Sequence, residues 1–100
     1  MAINLRAVLE TLSGAPGVGG LSAAPDAAAA YLQELGCEVE RDSLGSVTGY
    51  RRCGKENAPL LMLEAHIDEI GLIVTGVDDS GFVRVSACGG TDRRALSAAE

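Results

Sequence analysis

The sequence predicts an α/β fold in which two helices precede about five strands in a mixed sheet. Three observations carry that expectation. Apolar residues recur at helical spacing as far as Leu35, the pattern changes to short alternating runs from Cys37, and an uninterrupted apolar run at 60–63 reads as a strand buried on both faces. Helices that lead and strands that follow fit a mixed or antiparallel-rich sheet better than a repeating βαβ chain.

Leu5, Val8, Leu9 and Leu12 fall at i, i+3, i+4 and i+7, Asn4 is placed to cap the start, and Gly14 stands where a helix stops. This is a short amphipathic helix with one buried face. The glycine-rich stretch at 14–20 lets its backbone approach another group closely. It does not have the chemistry of a phosphate loop. Gly14 and Gly19 have the right separation, but Gly20 stands in the lysine position, Leu21 replaces the hydroxyl residue, and the loop follows a helix instead of a strand.

A second helix is expected over about 25–35. Ser22 or Ala24 precedes it, Pro25 suits its first turn, Asp26 favours its dipole, and Gly36 ends it in a left-handed conformation. Ala27, Ala28, Tyr31, Leu32 and Leu35 form its apolar side, and the small alanines allow close packing on a sheet. Residues 38–42 then alternate, Ser43, Leu44 and Gly45 turn, and 46–50 return as a hairpin. The charged stretch 51–59, with Gly54 and Asn57, is a surface loop. After the apolar run, 71–77 and 82–87 are strands joined by Asp78-Asp79-Ser80-Gly81, a polar turn ending in glycine. Gly89-Gly90 breaks the last strand and leaves one sheet edge unprotected, open to aggregation or to a partner.

Composition narrows the function. A net charge of −6 repels a phosphate backbone, and three aromatic residues are few for stacking on bases, so nucleic-acid and anionic-membrane partners are not expected. Cys37, Cys53 and Cys88 include no Cys-x-x-Cys pair, and a single histidine does not complete a structural zinc site. Free thiols suit a reducing compartment, and the N-terminus lacks a basic-then-apolar signal segment, so a cytoplasmic location is expected.

The single histidine, His66, follows the apolar run. On an extended backbone Asp68 shares its side, while Ile67 and Glu69 face the other. A carboxylate there accepts the proton of one ring nitrogen and leaves the other free for a divalent metal, so His66 is read as a metal ligand and Asp68 as its orienting group. The competing reading is a surface or hydrogen-bonded histidine with no ligand. Glu69 is read as solvated or salt-bridged, and Gly71 as a point where the chain bends.

Several stretches, in order, resemble the N-terminal portion of the tetrahedral or glutamyl-aminopeptidase-type family of dinuclear metallo-aminopeptidases. They are Leu12-Ser13-Gly14-Ala15-Pro16-Gly17-Val18, Asp42-Ser43-Leu44-Gly45, Ala65-His66-Ile67-Asp68-Glu69-Ile70-Gly71, Gly81-Phe82, and Gly89-Gly90-Thr91-Asp92-Arg93-Arg94-Ala95-Leu96. The third is the most specific.

The resemblance implies a fragment of a zinc-peptidase-like catalytic domain over 1–88 and the truncated start of an inserted dimerisation domain over 89–100. It implies two divalent metal ions, zinc or cobalt, with His66 matching one ligand and Asp68 the carboxylate that orients it. It also implies peptide substrates that lose their N-terminal residues, and a homo-oligomer when full-length. In the family the general-base glutamate, the bridging aspartate and the remaining ligands come from later chain, so Glu64, Glu69 and Asp42 are not assigned those roles. The expectation is therefore an aminopeptidase family member that is inactive as this chain alone. The alternative is a non-enzymatic interaction module with an exposed sheet edge.

Overall fold

The computed structural model describes residues 3–20 and 23–98. Helix α1 spans Leu5–Gly14 and begins at Asn4, whose Oδ1 accepts from the Ala7 N–H at 3.3 Å. Helix α2 spans Ala23–Glu34 and starts slightly earlier than its proline suggests. Its end is closed as expected. Gly36 takes φ 77°, its N–H donates to Gln33 O, and the Cys37 N–H donates to Leu32 O, the paired bonds of a left-handed cap. Ser22, a candidate to precede this helix, and Leu21 lie outside the described residues.

Strands β1 (Glu38–Arg41) and β2 (Val47–Tyr50) form an antiparallel hairpin with Val39 opposite Gly49. Asp42 shapes its turn, because its Oδ1 accepts from the Leu44 and Ser46 N–H groups, both at 2.9 Å. Strands β3 (Gly71–Val77) and β4 (Val83–Cys88) form a second antiparallel hairpin, with a register shift between Val74 and Gly76. Asp78 plays the same part there, accepting from the Ser80 and Phe82 N–H groups at 3.0 and 2.9 Å, and Gly81 takes φ 86°.

Helix α2 packs on the first hairpin. A Cβ on Gly49 would stand 2.9 Å from Leu32 Cδ2, so the strand is glycine where the helix comes closest. Arg41 reaches back to Asp26 at 2.6 Å, and the Tyr31 hydroxyl donates to Thr11 Oγ1 at 3.1 Å, linking α2 to α1.

Three expectations meet a different outcome. The described residues hold four strands in two separate antiparallel sheets, where about five in one mixed sheet were predicted. The apolar run at 60–63, predicted to be a buried strand, forms no strand, and its side chains are 78–85% exposed. No backbone–backbone hydrogen bond joins residues 51–68 to any described residue. An apolar run becomes a strand only where another strand meets its N–H and C=O groups, and none of the described residues does so. Finally, the amphipathic pattern of α1 is present but its face is uncovered, with Leu5 and Leu9 exposed and no α1 residue buried.

The core is correspondingly small. Among the described residues the buried hydrophobic side chains are Ala24 and Ala29 of α2, while Tyr31 and Leu32 are half-buried and Leu35 is exposed. The accessible surface is 8640 Å², against about 5,300 Å² expected for a folded monomer of 10.2 kDa. The surplus, roughly 3,300 Å² by that scaling, is on the scale a large obligate interface buries.

Among the described residues the β3–β4 hairpin packs on neither helix and not on the first hairpin. The glycine-rich loop joins the halves instead. Val18 and Glu69 form a parallel bridge, the Glu69 N–H donates to Gly17 O at 3.2 Å, and a Cβ on Gly71 would stand 2.6 Å from Val18 Cγ2. The close approach anticipated for this loop is therefore made to backbone, at 67–71.

Candidate functional site

The loop, the first half of α2 and the β1–β2 turn face the segment carrying His66 across a cleft of about 520 Å³. Gly19 and Gly20, Pro25 and Ala28, and Gly45 and Val47 line one side, with His66 and Asp68 on the other. The segment is in no strand, so the predicted buried strand before it does not form, yet His66 and Asp68 meet as the alternation anticipated.

His66 Nδ1 lies 3.0 Å from Asp68 O and 3.2 Å from Asp68 Oδ1. A carbonyl oxygen only accepts, so in the neutral ring this contact selects the tautomer with the proton on Nδ1 and the lone pair on Nε2. The two side chains are 86 and 64% exposed. At that exposure the contact contributes little to stability and acts mainly to select a tautomer and a ring orientation.

Asp42 and Glu69 are occupied otherwise. Asp42 is committed to its turn, and the bond from the Ser46 backbone, with those from Leu44 and Gly45, holds its carboxyl below the usual range. Glu69 is exposed, as the sequence suggested, but among the described residues its carboxylate is tied to backbone and not to a basic side chain. Its Oε1 accepts from the Gly17 N–H at 3.2 Å, and its own N–H donates to Gly17 O. Gly71 does more than permit a bend, since Val18 occupies the space a side chain would need. Gly89, at φ 80°, meets Ile70 in the same way, with a Cβ predicted 2.5 Å from Ile70 Cγ2. Thr91 Oγ1 donates to Gly71 O at 3.4 Å and brings the start of the 89–98 segment against β3.

Sequence reasoning missed the role of Glu69 because its partner lies 52 residues away. Period-two alternation showed only that it points away from Asp68. Among the described residues no group of three or more His, Cys, Asp and Glu side chains converges to hold a metal ion. No helix among them is long and apolar enough to cross a membrane.

Fold and site together define an α/β segment that presents one oriented imidazole, with a free ring nitrogen, at the rim of a cleft. A protein-family model, M42 glutamyl aminopeptidase, matches residues 45–100, more than half of the chain, and the chain belongs to that family. The chain is 39% identical over 61 residues to the glutamyl aminopeptidase of Lactococcus lactis subsp. cremoris, covering 61% of this chain and 17% of that protein. It is 38% identical over 77 residues to the lysyl aminopeptidase of Pyrococcus furiosus, covering 75% of this chain and 21% of that protein. It thus spans about a fifth of the length of the curated relatives it matches. No solved structure gives a significant match.

Proposed function

We propose that the protein supplies the N-terminal part of a metal-dependent aminopeptidase, in which His66 is one metal ligand and Asp68 holds it in orientation. The observation that carries this reading is the His66–Asp68 contact, which occupies Nδ1 and leaves Nε2 without a protein partner among the described residues, at a cleft in a chain of this family. Residues 1–88 belong to the catalytic domain, and 89–100 open an inserted dimerisation domain. In the complete protein the two hairpins and the run at 60–63 join one mixed sheet, and the assembly is a cytoplasmic homo-oligomer. The substrates are peptides that lose their N-terminal residue. Relatives named for glutamyl and for lysyl activity leave the side-chain preference to residues outside this chain.

One imidazole does not by itself fit a catalytic ion, which takes about three protein ligands. When bound, a pair of divalent ions, zinc or cobalt, supplies an activated water and polarises the scissile carbonyl. The part of this chain is narrower. Asp68 keeps the proton on Nδ1, and the glycine loop with α2 builds one wall of the cleft. The chain alone is therefore inactive. Incubation with zinc or cobalt and aminoacyl chromogenic substrates is expected to give no turnover, and turnover abolished by His66→Ala would overturn that statement. In the complete protein His66→Ala is expected to lower both metal content and rate, and unchanged metal content would remove His66 from the ligand set.

A second reading, a non-enzymatic interaction module, draws on the uncovered run at 60–63 and the open hairpin edges. A monodisperse chain that unfolds cooperatively and ignores metals would favour it. Coding sequence that continues past Glu100 with further acidic and histidine residues would favour the peptidase.

A further inference from the structure

We propose that Glu69 is a positioning residue, which grips Gly17 at two points and thereby holds the preceding turn of chain so that Asp68 meets the His66 ring. The inference builds on the reading of His66 given above, because the ring's orientation matters only if Nε2 has work to do. Its evidence is separate. The His66–Asp68 pair is largely in water, so its contact sets the ring's tautomer but contributes little towards holding the two residues together. Residues 51–68 have no backbone–backbone hydrogen bond to any described residue, and Glu69 is the first residue after them that is fastened.

The fastening is specific. The Glu69 N–H donates to Gly17 O and its Oε1 accepts from the Gly17 N–H, both at 3.2 Å, so one residue satisfies both polar groups of Gly17. Gly17 is buried, and a Cβ there would stand 3.1 Å from Ile67 O, so a side chain would push the loop and the 66–69 backbone apart by a few tenths of an ångström. Adjacent residues of an extended chain point to opposite sides. Glu69 thus holds the loop from one side while Asp68 holds the ring on the other.

The chain has a single histidine, so the imidazole 15N signals need no assignment. They are read without metal, on dilute chain, above about pH 8, where an ordinary imidazole is neutral. The Nδ1–H tautomer is expected to dominate in the unaltered chain. Glu69→Ala is expected to move the ratio several-fold towards Nε2–H, and Glu69→Gln, which keeps an acceptor oxygen, is expected to restore it. If Glu69→Ala does not fold, as judged by the β3–β4 amide signals, Glu69→Asp replaces it, because it keeps the charge and the backbone bond but withdraws the acceptor. An unchanged ratio in the folded variant overturns the proposal. A lost bias in the variant, together with a metal content of the complete protein that His66→Ala leaves unchanged, upholds the grip and overturns the ligand reading. An unchanged bias with a metal content that His66→Ala lowers does the reverse.

Discussion

Residues 60–63 and 69–71 belong to one extended stretch, yet they are held in opposite ways. The first four are apolar, exposed and without backbone partners, while the last three are fixed by a hydrogen-bonded bridge and by glycines fitted against Val18 and Ile70. Apolar character alone does not place a segment inside a protein. It needs a surface to meet, and with so few buried side chains the described residues do not supply one. The 69–71 segment meets the loop at 17–19 on one side and residues 88–91 on the other, and both are present. The difference separates backbone that the described residues fasten among themselves from backbone that they leave uncovered.

The fitted segment should be the sensitive one. Gly89→Ala adds a Cβ that collides with Ile70 at a backbone angle few side chains adopt, and a loss of about 2–4 kcal/mol is expected from urea unfolding. Gly81→Ala, at nearly the same angle but with open space around it, is expected to lose only about 1 kcal/mol. Equal losses would mean that the junction is not tightly fitted. In the uncovered segment, Leu61→Ala should change stability by less than about 0.5 kcal/mol, whereas a buried leucine would cost about 2–5 kcal/mol. A large, concentration-dependent loss would show that copies of the chain cover this run for one another.

The smallest effect concerns pH and the β1–β2 turn. Asp42 is held below its usual value near 3.8 by the bonds of its turn, first that from the Ser46 backbone. A carboxylate lowered in the folded state adds stability that is full above the unfolded value and disappears as pH falls through the folded one. The β1–β2 hairpin should therefore weaken below about pH 3.8, and Asp42→Asn should flatten that dependence in the exchange of the Leu44 and Ser46 amides.

Much of this was legible from local chemistry. Asn4, Gly36, Asp42 and Gly81 mark helix and turn boundaries through bonds that reach only a few residues, and the structure places each boundary within a residue or two of the expectation. The His66–Asp68 contact was legible too, because period-two alternation needs no distant partner. The fate of 60–63 was not. A buried strand and an unpaired apolar run have the same letters, and only neighbouring strands distinguish them. The Glu69–Gly17 grip and the fit of Gly71 to Val18 were equally hidden, since a single sequence does not say which loop meets which segment.

Amide hydrogen exchange across residues 60–71 of the isolated chain tests most directly the division between fastened and uncovered backbone. The expected result is unprotected exchange at Leu61, Met62 and Leu63, with measurable protection at Glu69 and at its partner Gly17. Protection at 61–63 equal to that at Glu69 would contradict it, because the run would then already be paired without any further polypeptide.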